Sequence, residues 1–199
     1  MANAGAGPLL VVITGPSGVG KDSLLARLKA LGRPYHFAVT ATNRQPRPGE
    51  VEGIDYYFLS DAQFDEMLAR GEFLEHAIVY DQRHGVPRTP VREALAAGRD
   101  VVMRTDVQGA RYIKSVCPAA LTVFIAPPSW EELEWRLRSR GTDGPQQLKL
   151  RLRAAREELA AAGDFDKTVV NDDLNACVAE IEGILAAERS RKGRERVVV

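Results

Sequence analysis

Gly15-Pro16-Ser17-Gly18-Val19-Gly20-Lys21 is the stretch whose reading decides the fold. It follows the apolar run Leu9-Leu10-Val11-Val12-Ile13 and precedes an amphipathic run opening at Ser23-Leu24-Leu25. A β-branched run, then glycines, then helical periodicity predict strand, loop and helix. The spacing G-x-x-x-x-G-K is that of a phosphate loop. Its glycines let backbone N–H groups curl round an anion, and the following helix points its positive dipole end at it. Lys21 adds a full charge for the outer phosphates. An ordinary glycine-rich turn needs neither the strand, the helix nor the lysine. The next position breaks the pattern. A Ser or Thr hydroxyl that binds magnesium belongs there, and the chain has Asp22.

At 199 residues the chain is long enough to bury a real core as one domain with inserted subdomains. Lys plus Arg equals Asp plus Glu, 27 of each, so no global field favours nucleic acid or an anionic membrane, and neither is expected as a partner. The two cysteines, Cys117 and Cys177, lack metal-type spacing and predict reduced thiols in a cytoplasm. No apolar run approaches membrane-spanning length. Residues 1–8 read as a flexible N-terminus without the pattern of a signal peptide. Residues 189–199 read as a basic, frayed tail.

Outward from the loop, the helix Ser23 to Ala30 ends near Gly32, and Pro34 forbids continuation. His36 to Ala41 predicts a short strand. A proline-stiffened loop, Thr42 to Glu50, then carries Arg44 and Arg47, two guanidinium groups that cost little entropy to order round an anion. Ile54 to Leu59 is strand-like. Ser60 and Gln63 form a capping box for a helix Asp61 to Ala69, closed by Gly71. Glu72 to Tyr80 reads as a second short strand pair, broken at Asp81-Gln82, and Thr89-Pro90 as the start of a helix ending at Gly98. Asp100 to Thr105 and Leu121 to Ala126 predict strands. Ser129 and Glu132 open a helix to about Ser139, and Gln146 to Ala162 is a long charged helix. Lys167 to Val170 and Leu174 to Glu188 predict a last strand and helix. Strands alternating with helices after a phosphate loop predict an α/β fold with a mostly parallel sheet. The β-rich insertion and the arginine-flanked segment then stand above its carboxyl edge.

Five motifs in order make the sequence resemble the guanylate kinase family from Leu9 to Leu185: Gly15 to Lys21; Arg44-Gln45-Pro46-Arg47-Pro48-Gly49-Glu50; Asp55-Tyr56-Tyr57-Phe58; Gly71-Glu72-Phe73-Leu74-Glu75; and Asp106-Val107-Gln108-Gly109-Ala110. Arg136-Leu137, Arg140-Gly141 and Val170-Asn171-Asp172-Asp173-Leu174 fit as well. The resemblance implies a P-loop NTPase-type core (9–32, 98–139 and 163–188), an inserted NMP-binding subdomain (33–97) and a lid (140–162), all within 9–188. It implies transfer of the γ-phosphoryl group of ATP, bound with Mg2+, to GMP or dGMP.

The chemistry agrees with the residues. The acceptor is a phosphate oxygen already largely ionised near pH 7, its second pKa being about 6. No general base is then needed, and the task is to bring two anions together. Family matching puts the loop residues Gly15, Pro16, Ser17, Gly18, Val19, Gly20 and Lys21, with Asp22, Ser23 and Asn171, on ATP. It puts Arg44, Arg47 and Tyr56 on the acceptor phosphate, and Arg136, Arg140 and Arg151 closing over the donor and transferring phosphates. Arg138 and Arg153 are read as solvated. Glu75 is read as the guanine selector, because one carboxylate accepts from both N1–H and the exocyclic amine. Thr40 supplies a hydroxyl and Asp106 a base-side or metal-side contact.

Three residues depart from the family pattern. Arg104 stands where many members carry an acid, with Asp106 or a phosphate as its open alternatives. His84 replaces a family tyrosine that contacts the acceptor phosphate; as a GMP-site residue it can still donate to phosphate, and a charge switch near neutral pH becomes possible. Val86 replaces a serine or threonine. Asp22 is read as a magnesium ligand, direct or through water, in preference to the alternative that it points away and the metal keeps more waters. Two other readings are weighed. A ribose 1,5-bisphosphate kinase shares Gly-Lys-Asp-Ser but has no use for Phe73-Leu74-Glu75. A non-catalytic binding module would not keep Lys21 and the lid arginines.

Overall fold

Strand β1 (Leu10–Thr14) is buried along its whole length. Side chains alternate across a strand, so such a run requires both sheet faces to be covered. In the computed structural model, which describes residues 7–79, 82–139 and 144–199, they are. Val11 and Ile13 face a core with Leu24, Leu28, Val123, Ile125, Leu133 and Ile181. Leu10 and Val12 face the opposite core, with Met103, Val107, Ile113 and Phe124.

The phosphate loop leads from β1 into α1 (Lys21–Ala30). Lys21 is therefore in the first turn, two residues before the predicted start. The predicted strand His36 to Ala41 divides between two sheets, β2 (His36–Phe37) and β3 (Thr40–Thr42). Strand β4 (Tyr56–Phe58) and helix α2 (Asp61–Ala69) follow, the helix opened by the predicted Ser60–Gln63 capping box. Next come β5 (Phe73–Val79), β6 (Gln82–Pro87) and α3 (Arg88–Ala96).

Two sequence readings need correction here. Glu72 to Tyr80 is not a strand pair in itself: β5 is one strand, and its partner β6 starts at Gln82. Residues 82–87 contain Gly85 and Pro87 and no apolar alternation, and they are held as a strand by ladders to both β3 and β5. Helix α3 starts before Thr89-Pro90, with Pro87 at its N-cap position. Pro90 falls within the first turn, where no backbone N–H has an intrahelical partner to lose.

The chain continues through β7 (Val101–Arg104), α4 (Val107–Val116), β8 (Leu121–Ala126), α5 (Trp130–Ser139), α6 (Pro145–Ala160), a short 3₁₀ turn, β9 (Lys167–Val170) and α7 (Leu174–Ser190). Two sheets result: a parallel one in the order β2-β7-β1-β8-β9, and a smaller one in the order β4-β3-β6-β5. The second sheet has its own small core, in which Phe64 of α2 stacks on Phe73 with ring centres 4.5 Å apart. Because β1 and β7 are neighbours, the phosphate loop and residues 104–106 emerge side by side at one edge.

The last residues are docked, not frayed. Arg194 is buried and donates to the carbonyls of Gly7 and Pro8, and Val197 packs into the core beside Val101. Arg189 holds Asp100, whose other carboxylate oxygen accepts from the Leu9 N–H at 2.7 Å. Apolar residues near the end of the chain outweigh its charge.

Candidate active site

Glycine is required where the loop is most tightly enclosed. Gly15 (φ 141°) and Gly20 (φ 97°) adopt backbone conformations that side chains oppose. A Cβ at Gly15 would stand 2.3 Å from the Ile125 carbonyl oxygen, and one at Gly20 would stand 2.6 Å from Asn171 Nδ2. Asn171 donates to the Val19 carbonyl at 2.7 Å, and Arg136 donates to the Asn171 carbonyl at 3.1 Å while Glu132 holds its Nε. These two predicted site residues thus brace the loop from behind. Lys21 Nζ donates to the carbonyls of Gly15 and Pro16 at 2.5 and 3.0 Å.

A cleft of about 240 Å³ opens above the loop. Among the predicted residues it is lined by Gly15, Ser17, Gly18, Gly20, Lys21, Asp22, Thr40, Tyr56, Glu75, His84 and Asp106. Pro16 and Val19 belong to the same loop but not to that lining, and Ser23 is exposed on α1. One helical step of about 100° turns Ser23 away from the position of Asp22.

Glu75 on β5 is only 4% exposed, and burial together with nearby Asp106 pushes its carboxyl up to about 8. Asp106 caps α4, accepting from the Gly109 N–H at 2.7 Å. Burial, then Arg44, lowers the pKa of His84 while Asp106 opposes them, which disfavours a charged ring.

Arg44 is held by Glu50 in a fork of two 2.6 Å hydrogen bonds and lies over the Tyr56 ring, 4.7 Å from its centre. Glu50 also accepts from the Arg47 N–H at 2.7 Å, and these donors, Arg44 first, pull its carboxyl down to about 2. Arg47 itself is exposed. Arg151 is half-buried on α6; Arg140 lies outside the described residues. Arg138 and Arg153 are surface partners of Glu134 and Glu157, as expected.

Sequence reasoning leaves the partner of Arg104 open and passes over Glu158 altogether. Arg104 pairs with Asp22 and with the Tyr56 hydroxyl, and not with Asp106. Glu158 on α6 accepts from the Ser17 N–H at 3.2 Å, inside the phosphate loop. The long charged helix offers no local pattern that singles out Glu158; its position comes from how α6 packs across the loop.

A phosphate loop at the carboxyl edge of a parallel sheet, facing buried polar side chains of a second sheet, defines a P-loop nucleotide-binding protein of the small-kinase kind. The chain belongs to the guanylate kinase family: residues 8–188 match the family model described as "Guanylate kinase". It is 51% identical to a guanylate kinase of Gloeobacter violaceus over 90% of this chain and 87% of that one. It is 46% identical to that of Nocardia farcinica over 92% and 95%. The crystal structure of guanylate kinase from Anaplasma phagocytophilum superposes with a TM-score of 0.77 at 30% identity, covering 95% of this chain and 90% of that chain.

Proposed function

We propose that the protein transfers the γ-phosphoryl group of ATP to GMP or dGMP, giving ADP and GDP. One observation carries the reading: a phosphate loop and a buried carboxyl, Glu75, face each other across one cleft. The loop amides and Lys21 take the donor phosphates. Arg44, Arg47, Tyr56 and His84 take the acceptor phosphate, and Thr40, Glu75 and Asp106 surround the guanine side. Arg136 and Asn171 keep the loop in shape, while Arg151 and Arg140 close over the phosphates from the lid. No residue is needed as a base, since the attacking oxygen arrives ionised.

Magnesium bound with ATP supplies charge neutralisation on the donor phosphates. Asp22, next to Lys21, is the carboxylate that would hold it, sharing its oxygens with Arg104. Among the described residues no group of three or more histidines, cysteines or acids could hold a metal. That suits an ion held mainly by phosphates and water.

Among the described residues no helix is long and apolar enough to cross a membrane. Both cysteines are free and buried, which supports a cytoplasmic setting. Steady-state rates with GMP, dGMP, AMP and ribose 1,5-bisphosphate test the reading. GMP and dGMP should be used, with AMP worse by about 10⁴, the size expected when buried polar groups go unpaired. Preference for ribose 1,5-bisphosphate would overturn it.

A further inference from the structure

Strand β7 ends at Arg104, whose side chain leaves the sheet between the two substrate seats. On the donor side it is ion-paired with Asp22, the residue after Lys21. On the acceptor side its NH2 donates to the Tyr56 hydroxyl at 2.5 Å, and its guanidinium carbon lies 5.4 Å from the centre of that ring. Arg44 faces the same ring. Tyr56 is therefore flanked by two guanidinium groups, one from the end of β7 and one from the loop that follows β3.

The chemistry of that arrangement is directional. A phenol has one proton to donate and lone pairs to accept with. Arg104 fills a lone pair, so the Tyr56 O–H is left to donate to an incoming oxygen. The Arg104 guanidinium is half-buried and so partly stripped of water, yet arginine stays charged in proteins. A desolvated cation acts more strongly on a nearby anion than a surface one does.

The two departures also compensate each other. A lone carboxylate at position 22 would repel donor phosphates; a lone guanidinium at position 104 would be half-buried without a counter-charge. Together they form a neutral pair that opens towards phosphate.

We propose that Arg104 is a catalytic residue that contacts the phosphoryl group in transit between the ATP and GMP seats, and that Asp22 is its positioning residue. The inference rests on the ATP:GMP reading. In the step, an ionised GMP phosphate oxygen bonds to the γ-phosphorus while the bond from that phosphorus to the β–γ bridging oxygen breaks. The electron pair of the broken bond leaves with ADP. Arg104 donates N–H groups to the oxygens of the group being transferred, where charge is spread in the transition state.

The test pairs kinetics with binding of a bridged probe, an adenosine and a guanosine joined through a polyphosphate chain. Arg104→Gln should lower kcat about 10²-fold or more, the usual cost of one lost transition-state donor, with KM for ATP and GMP within about threefold. It should weaken the bridged probe by about tenfold or more while ADP and GMP bind separately as to the parent. Arg104→Lys, which keeps the charge but not the fork, should recover part of kcat. At saturating Mg2+, where any part Asp22 plays in holding the metal is masked, Asp22→Asn should lower kcat in the same direction, and the double variant should fall by less than the product of the two single losses, as expected for groups that act together. Parental kcat and probe affinity in Arg104→Gln, or an additive double variant, would overturn the proposal. Retained binding of the separate nucleotides shows that a loss is not misfolding. A parent that binds the bridged probe through Arg104 but does not phosphorylate GMP sinks the functional reading alone; failure of the parent to bind the probe overturns both.

Discussion

Gly109 lies so close to Glu75 that a Cβ at position 109 would stand 2.6 Å from the Glu75 Oε2. The missing side chain lets the first turn of α4 close over the carboxyl from β5. That closeness buries Glu75 and, with Asp106 adjacent, lifts its pKa to about 8. At neutral pH Glu75 is therefore largely protonated before guanine arrives, whereas guanine, with two donors side by side, selects the carboxylate.

GMP binding should accordingly be coupled to loss of a proton from Glu75. Apparent GMP affinity should rise as pH goes from about 6 to 8, by up to tenfold per unit, and level off above 8. His84, uncharged through most of that range, adds no inflection near 7. Glu75→Gln should lose most GMP activity, narrow the gap to AMP and flatten the profile. Isothermal titration across pH reads this directly; a parent profile flat between 6 and 8 would remove the coupling.

The same shift has a stability consequence of opposite sign to the functional one. A group whose folded pKa is raised, here from 4.5 to about 8, is fully tolerated below its unfolded value and costs stability as pH rises towards its folded value. Glu75→Gln should then be more stable than the parent at pH 8 by on the order of a few kcal/mol relative to the difference at pH 4.5. Denaturant melts at both pH values check it. Parallel melts would mean that Glu75 is not strongly desolvated.

How much of this is legible in the sequence depends on where the information lies. The phosphate loop, the Ser60–Gln63 capping box and the runs Leu121–Ala126 and Lys167–Val170 are local patterns, and the sequence places them as found. Strand β6 is not local: Gly85 and Pro87 argue against a strand, and only its neighbours on both sides make it one. The partner of Arg104 is equally hidden. Asp106 is two residues away, but it is turned to cap α4, and Arg104 pairs instead with Asp22 and Tyr56, from two other segments. The docked tail depends on where its valines meet a core they do not adjoin in sequence.

Arg44 should report on the acceptor alone. Its fork is fixed by Glu50 and its plane by Tyr56, a geometry that an ammonium group cannot reproduce. Arg44→Lys should raise KM for GMP by about tenfold or more and leave KM for ATP within about threefold. Glu50→Gln should move in the same direction by a smaller factor, because it loosens the same guanidinium. Equal damage to both substrates would assign Arg44 to the donor side or to the fold.

Glu158 occupies a place that a donor phosphate needs. Its carboxylate accepts the Ser17 N–H at 3.2 Å and lies near Lys21, so an acid from α6 stands where an anion belongs. Burial raises its pKa, opposed by Lys21 and by that N–H, so the contact is a compromise between desolvation and charge attraction. When ATP binds, the same N–H and Lys21 must turn to phosphate, and the Glu158 side chain must swing off the loop. A hydrogen bond to a charged group is worth about 1.5–3 kcal/mol, and exposure of the departing carboxylate to water recovers part of the loss. Glu158→Ala should therefore tighten ATP binding about threefold to tenfold while leaving GMP affinity unchanged. Glu158→Gln, which cannot offer a charge to Lys21, should tighten it less than Ala and more than the parent. Fluorescence titration with ATP and with GMP separates the arms. Weaker ATP binding in Glu158→Ala would show that the carboxylate serves the bound state and does not stand in for phosphate.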